Sequence, residues 1–411
     1  MMNFTRILSI LLLYLLTSCE TETTYTPGET FVKFYGTESA ETGVDVLAIS
    51  NGFLLLGNTN STTSTSAFLV ETDIYGNEIS QYIVSDTSAA NTDNAVGMVK
   101  LSETNVVILA NRNDSLGVLM YVDPQSENAQ TVSTTEIHPG YDQVVFNAIE
   151  LTSDGGVIII GEVRNMTPGS GIEPQWDMIS IKYSSAGALE WQKIQGFQPT
   201  ANDLGNSIVE GDNQNYYLFG AVDIKKVNDN NEEFISSDMR TVRVNSVGDI
   251  VWDKYFGSAS NELGIKISSY ANTLYVLGDR QVSETNRDIL FSSLDENGDA
   301  GVLQEFGLTG IDRGRDMALT NEGVYIVGST DSYGLDEDIL LMKISYTGEI
   351  FWQKTIGYEG PDYGRKVIVQ NDKSILVVGT ANFGNNTKIC FIKTDPNGSL
   401  SYQQTPVATE N

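Results

Sequence analysis

The sequence predicts an all-β protein, a seven-bladed β-propeller of four-stranded antiparallel blades. Two observations carry that prediction. Short hydrophobic clusters ending in a small residue recur seven times, "FLLLG" to Gly57, "VVILA" to Ala110, "VIIIG" to Gly161, "YYLFG" to Gly220, "LYVLG" to Gly278, "VYIVG" to Gly328 and "ILVVG" to Gly379, at spacings of 53, 51, 59, 58, 50 and 51 residues. Every cluster is preceded by an acidic residue and followed by a turn signature, so the three marks keep one register along the chain.

Each cluster is too short for a helix, and its Val, Ile, Leu and Tyr residues are apolar at successive positions instead of alternating. Both faces must therefore be covered, which places these strands inside stacked sheets. The turn mark is Asp73, Asp123, Ser184, Asn245, Asp295, Ser345 and Asp395, with Gly three residues later in six units and Ser126 in the other. Asp, Asn or Ser opening a type I turn binds the turn's own amides, and Gly is favoured at its fourth position. The acidic mark is Glu41, Asp93, Asp142, Asp203, Glu262, Asp312 and Asp362, followed two residues on by Gly or Ala in six of seven units. In the sixth unit the four strands read "GRDMALT", "VYIVGST", "DILLMKIS" and "EIFWQKTIG". Repeated units of this kind are solved by a ring, which leaves only short sheet edges.

The elements outside the repeat are also legible. Residues 1–18 read as a signal peptide, with Arg6 followed by an almost unbroken apolar run from Ile7 to Leu16, too short to span a bilayer stably. Residues 19–28 have the polar, Thr-rich composition of a tether, and 29–411 form the propeller. "ETFVKFYG" at 29–36 matches a fourth strand with no earlier strands before it, so it is expected to clasp the seventh blade; "SLSYQQTPV" near the C-terminus competes for that edge.

The formal charge is −30, and the chain starting at Cys19 loses Arg6 and no acid, giving −31. Nucleic acid and anionic lipid surfaces are repelled by such a protein. The other cysteine, Cys390, lies in the apolar run "KICFIK" and reads as a small buried thiol, with no disulfide framework. A single histidine, His138, excludes a His-rich metal cluster, and there is no nucleophile elbow, phosphate-cradling glycine loop or HExxH signature.

Candidate contacts come from repetition and from its failure. Topology places Asp142, Asp203, Glu262, Asp312 and Asp362 at one mouth of the channel, with Asp177, Asp238, Asp288 and Asp338 on the same face. They read either as caps on backbone amides within each blade or as a cation site, with calcium the candidate ion; no cofactor is otherwise predicted. Only units three and four are long, and the excess falls in "RNMTPGSGIEPQWD" at 164–177 and "DIKKVNDNNEEFISSD" at 223–238. These stretches read as loops side by side on the acidic face, and Trp176, Lys225, Lys226 and Phe234 are the expected partner contacts.

Two resemblances add to this reading. Leu16, Thr17, Ser18 and Cys19 resemble a bacterial lipobox, which implies acylation of Cys19 and, with Glu20 and Glu22 following it, an outer-membrane lipoprotein of a diderm bacterium, periplasmic or surface-exposed. "TGEIFWQKTIG" is similar to the tryptophan-docking repeats of quinoprotein-like propellers, in which a Trp four residues after Gly packs between blades. Trp191, Trp252 and Trp352 hold that spacing, and Tyr402 takes the place in unit seven. The adjacent cysteines that the resemblance would require of a quinone-dependent dehydrogenase are absent. A lipid-anchored envelope propeller acting as a non-catalytic binding or scaffold module, with a protein or glycan partner, is the leading expectation. The alternative is a polysaccharide lyase or hydrolase with carboxylates at the channel mouth.

Overall fold

The structure is a computed structural model and describes residues 30–60, 64–84, 91–126, 131–164, 175–197, 201–228, 230–334 and 336–400. The signal peptide, Cys19 and the whole tether lie outside these residues, as does Tyr402. The described residues fold into seven four-stranded antiparallel sheets, and the 3-10 turn Asp212–Gln214 is the one helical element among them. The first strands of neighbouring blades touch all the way round, blade seven back to blade one, so the sheets form a closed ring of seven blades. Blades one to six take their strands in chain order from the channel outward. Blade seven differs.

Its outer strand is Phe31–Tyr35, which pairs antiparallel with Thr387–Thr394 in the register Phe31↔Lys393 to Tyr35↔Ile389. The N-terminal strand thus closes the ring, as its likeness to a fourth strand implied. The Tyr35 hydroxyl donates to the Gly76 carbonyl of blade one at 2.6 Å, and the Lys388 amine reaches Glu41 of blade one at 2.8 Å.

The apolar clusters are the second strands, and their uninterrupted hydrophobicity has a direct cause. In blade one, Leu54 and Leu56 pack toward Val106, Ile108 and Met120 of blade two, while Phe53 and Leu55 pack toward Leu376, Val378 and Phe391 of blade seven. Alternate side chains serve two different neighbours, so every position must be apolar.

Each turn mark closes a hairpin in the same way. The Gly298 N–H, for example, donates to the Asp295 carbonyl at 3.0 Å, and the Asp295 carboxylate accepts from the Asn297 and Asp299 amides at 2.9 Å. Gly298 has φ +81°, the left-handed residue of a type I turn with a G1 bulge, so its glycine is conformational. It has a second role. A Cβ there would meet the Trp252 ring at 2.5 Å, and one on Gly398 would meet Trp352 at 2.7 Å. Trp191, Trp252 and Trp352 each lie against the turn glycine of the next blade, and Trp191 also donates to the Ser246 carbonyl of blade four at 2.9 Å. The tryptophans are wedges between blades. In blade seven the N-terminal strand supplies the equivalent ring, Phe31 against Gly76.

Every inner strand carries one β-bulge near its start, between Gly43/Asp45, Ala95/Gly97, Phe146/Ala148, Gly205/Ser207, Gly264/Lys266, Gly314/Asp316 and Gly364/Lys366. A bulge interrupts the ladder and leaves amides without a partner in their own sheet. The preceding blade supplies the acceptors: Asn58 takes the Ala95 N–H at 2.7 Å, Asn111 the Phe146 N–H at 2.8 Å, Asp279 the Gly314 N–H at 3.1 Å and Thr380 the Gly43 N–H at 3.1 Å. Each acceptor is the residue directly after the small residue that ends a cluster. The bulges also turn one extra side chain per blade toward the channel.

Candidate functional site

Six of the seven acidic marks are buried, and Asp142 is exposed. None is among the residues lining the channel cavities. They sit at the starts of the inner strands, on the expected face, but turn into the blade boundaries. Glu41 accepts the Thr37 N–H at 3.0 Å, Asp203 the Phe197 N–H at 2.8 Å, Asp312 the Leu308 N–H at 3.1 Å, and Asp362 the Tyr358 and Asn382 amides, the latter at 2.7 Å. Each tethers the connection that arrives from the preceding blade. Several also meet a base: Asp93 holds Arg112 bidentately at 2.7 and 2.8 Å, and Glu262 holds Arg280 at 3.0 Å.

Asp203 has the most elaborate surroundings. Arg240, on the third strand of blade four, has no exposed side-chain surface and donates to Asp203 at 2.9 Å, to the Gln195 carbonyl of blade three at 2.7 Å, and to Asp253 at 3.0 and 2.7 Å. Burial pushes the Asp203 carboxyl up to about 6 despite the Phe197 amide and the arginine. We take the pair as ionised, because its geometry is that of a charge-assisted bond and Arg240 has two carboxylates to satisfy.

The third-strand acids meet these marks across blade boundaries. Asp238 faces Glu262, Asp288 faces Asp312 and Asp338 faces Asp362. Burial, with that repulsion added, raises the pKa of both Asp238 and Asp362. Asp288 reaches about 6, through burial first and then its bond to Glu305. The glycine ending each fourth strand makes room for them: a Cβ on Gly257 would meet Asp238 at 2.5 Å.

The stretch 223–238 differs from its expectation. It is not a loop but the outer half of a long hairpin, Tyr216–Val227 paired with Glu233–Val244, whose register runs without interruption to Val227↔Glu233. Alternation gives it two faces. On one, Lys226 bonds Asp238 and the Ser258 carbonyl of the connection to blade five, and Phe234, its cross-strand neighbour, is half-buried. On the other stand Lys225, Val227 and Ile235, with Lys225 ion-paired to Glu233 at 2.5 Å; Val227 is 59 % and Ile235 67 % exposed.

Trp176 stands beside the base of this hairpin. Its backbone N–H donates to the Asn202 side chain at 3.2 Å, and Asn202 donates to Asp223 at 2.7 Å, linking the long connections of blades three and four. The Arg164 guanidinium lies 4.3 Å above the Trp176 ring. Residues 165–174, the rest of that connection, lie outside the described residues.

The channel itself has a composition that the sequence reading missed. At the bulge position the seven blades present Val44, Val96, Asn147, Asn206, Ile265, Arg315 and Arg365. One residue on, Lys366 lies 3.8 Å from both Asp45 and Asp316, while Lys266 pairs with Glu150 at 3.0 Å. The two carboxylates beside Lys366 raise its pKa, so it stays charged, and here two lysines face three carboxylates. A signal existed: "GVDV", "AVGM", "FNAI", "GNSI", "GIKI", "GRDM" and "GRKV" align on the bulge, and only the last two carry Arg.

No family model matches the sequence, and no curated protein matches it. Among solved structures the chain is similar to a protein of unknown function from Dyadobacter fermentans DSM 18053, at 10% identity over 73% of this chain and 94% of that one, with TM-score 0.48. It is likewise similar to the β-propeller domain of the Trilobed protease from Pyrococcus furiosus, at 10% identity over 88% of this chain and 100% of that one, with TM-score 0.47. Puromycin hydrolase matches at 12% identity over 88% of this chain and 54% of that one, with TM-score 0.45. At such identities likeness concerns the fold alone, and the seven blades rest on the sheets described above.

Proposed function

We propose that the chain is a lipid-anchored, non-catalytic binding module of the cell envelope, held at the outer membrane of a diderm bacterium through Cys19 and engaging a protein or glycan partner through blade four. The observation that carries this reading is the blade-four hairpin. It is the longest strand pair among the described residues, and it carries two large apolar side chains, Val227 and Ile235, on its exposed face. A two-stranded extension with uncovered apolar side chains contributes little to the ring it leaves, and such features mark interaction surfaces.

The point where the chain enters the ring supports the same reading. Phe31 pairs with Lys393 at the C-terminal end of a third strand, whereas the hairpin extends from the N-terminal ends of third strands. Phe31, where the described chain enters the ring, therefore lies on the face opposite the hairpin, which supports a hairpin directed away from the membrane. The docking-type tryptophans serve the ring in this reading and leave recognition to the parts that do not repeat.

The test is a crosslinking capture from solubilised envelopes with wild type and a V227E/I235E double variant. We expect the variant to lose the wild-type partner while its Tm stays within about 1 °C, since exposed substitutions are close to neutral. Retention of the same partner at the same yield would contradict the hairpin's role.

A further inference from the structure

We propose that Arg315 and Arg365 form an oxyanion-binding site in the central channel, for a small ligand carrying a carboxylate or phosphate group. The two arginines occupy equivalent bulge positions on the inner strands of blades six and seven and line the same waist of the channel, of about 130 Å³. Above it the channel widens to about 340 Å³, walled by Thr42, Val44, Val96, Asn147 and Arg365. The site goes beyond the hairpin reading and does not depend on it.

Three observations point to an anion. Neither guanidinium makes a hydrogen bond or ion pair with another described residue, whereas Arg112, Arg240, Arg280 and Arg313 each hold a carboxylate; Arg243 is likewise unbonded at Nε, but it stacks on Tyr217. Their own surroundings oppose their charge. Burial lowers the pKa of both; Arg365 is lowered further by Arg315, with the Tyr363 hydroxyl as its one favourable neighbour, and Arg315 is helped by Asp279 and Glu337. Those two acids have other work, since Asp279 is held up to about 7 by burial and accepts the Gly314 N–H, while Glu337 pairs with Arg313 at 2.9 Å. The third observation is asymmetry. Five blades place Val, Asn or Ile at this position, so two adjacent arginines serve no requirement of the repeat.

Two forked donors on neighbouring blades match the geometry of a shared carboxylate or phosphate. The same cavity is also lined by Asp45, Glu150 and Asp316, which Lys366 and Lys266 face, so two arginines and two lysines stand against three carboxylates and leave the waist positive by one. The net charge of −30 repels large polyanions at long range, which leaves small anions as the ligands able to enter.

The experiment is calorimetric titration of the full chain at low ionic strength with inorganic phosphate, citrate and glucuronate in separate arms, repeated with R315Q, R365Q and the double variant. The arms distinguish a phosphate from a carboxylate source. We expect at least one anion to bind wild type, each single variant to weaken it by about tenfold or more, and the double variant to abolish it, as loss of charge-assisted bonds requires. Because the arginines repel each other, the double variant is expected to melt no lower than wild type. The V227E/I235E variant should bind the anion unchanged, which separates the two sites. Absence of binding by all three anions at millimolar concentration, unaltered binding in the double variant, or a large loss of Tm in it would each overturn the proposal.

Discussion

Replacing Arg240 with leucine is expected to destabilise the protein by about 3–5 kcal/mol, the cost of leaving a buried charge without its partner. The side chain has no exposed surface, and its removal strips counter-charge from Asp203, itself fully buried, and from Asp253, while freeing the Gln195 carbonyl of the neighbouring blade. Urea denaturation gives the size of the loss. A triple variant that also carries D203N and D253N should recover part of it, because the penalty lies in the stranded carboxylates more than in the missing bonds. A loss below about 1 kcal/mol for R240L would mean that the pair contributes no more than a surface bridge does.

Deleting residues 30–36 is expected to have an even larger effect, on the order of 5 kcal/mol or more and comparable with the whole stability of a typical domain. That segment supplies the fourth strand of blade seven, five paired residues against Lys393 to Ile389, the Phe31 ring 5.2 Å from Phe391, and the Tyr35 bond to blade one. Without it the strand Thr387–Thr394 becomes an open edge at the seam, ready to pair with another chain. Calorimetry should show loss of the wild-type transition, and size-exclusion chromatography should show oligomers. A monomer with the wild-type Tm would show that the ring does not depend on this clasp.

Much of this architecture could be read from the residues. A cluster such as Val157 to Gly161 is apolar up to its glycine because a second strand faces two neighbouring blades, and that requirement repeats with the blade. The tryptophans were legible for the same reason: Trp352 recurs with its turn, and Gly398 receives it one blade later. The hairpin was not. "DIKKVNDNNEEFISSD" places lysines and acids on both faces, which conceals the alternation of a strand, and cross-strand bonds such as Lys225 to Glu233 and Lys226 to Asp238 hold a pairing that propensity does not announce.

The acidic marks show a different limit. Their register was plain, yet residue type alone does not tell a carboxylate that faces a channel from one turned into a blade boundary. Alternation turns Asp312 and Asp362 to the side opposite Arg315 and Arg365, three residues on, and the bulge then brings Asp316 and Lys366 to the channel beside the arginines, a shift that nothing in a binary pattern signals. The polar residue after four of the seven clusters, Asn58, Asn111, Asp279 or Thr380, was overlooked for the same reason, since its partner is an amide that only the bulge sets free.

What unites these findings is that the buried carboxylates repeated from blade to blade are spent on backbone amides and buried bases, and that recognition falls to residues the repeat does not dictate. The most direct test is the melting temperature of chelator-treated protein with and without millimolar calcium, in wild type and in a D312N/D362N variant. Carboxylates already engaged at Leu308, Ser332, Tyr358 and Asn382 should give no stabilisation by calcium beyond about 1 °C, and the variant should melt lower in both conditions. A rise of several degrees in wild type that vanishes in the variant would contradict the account, because the marks would then be cation ligands.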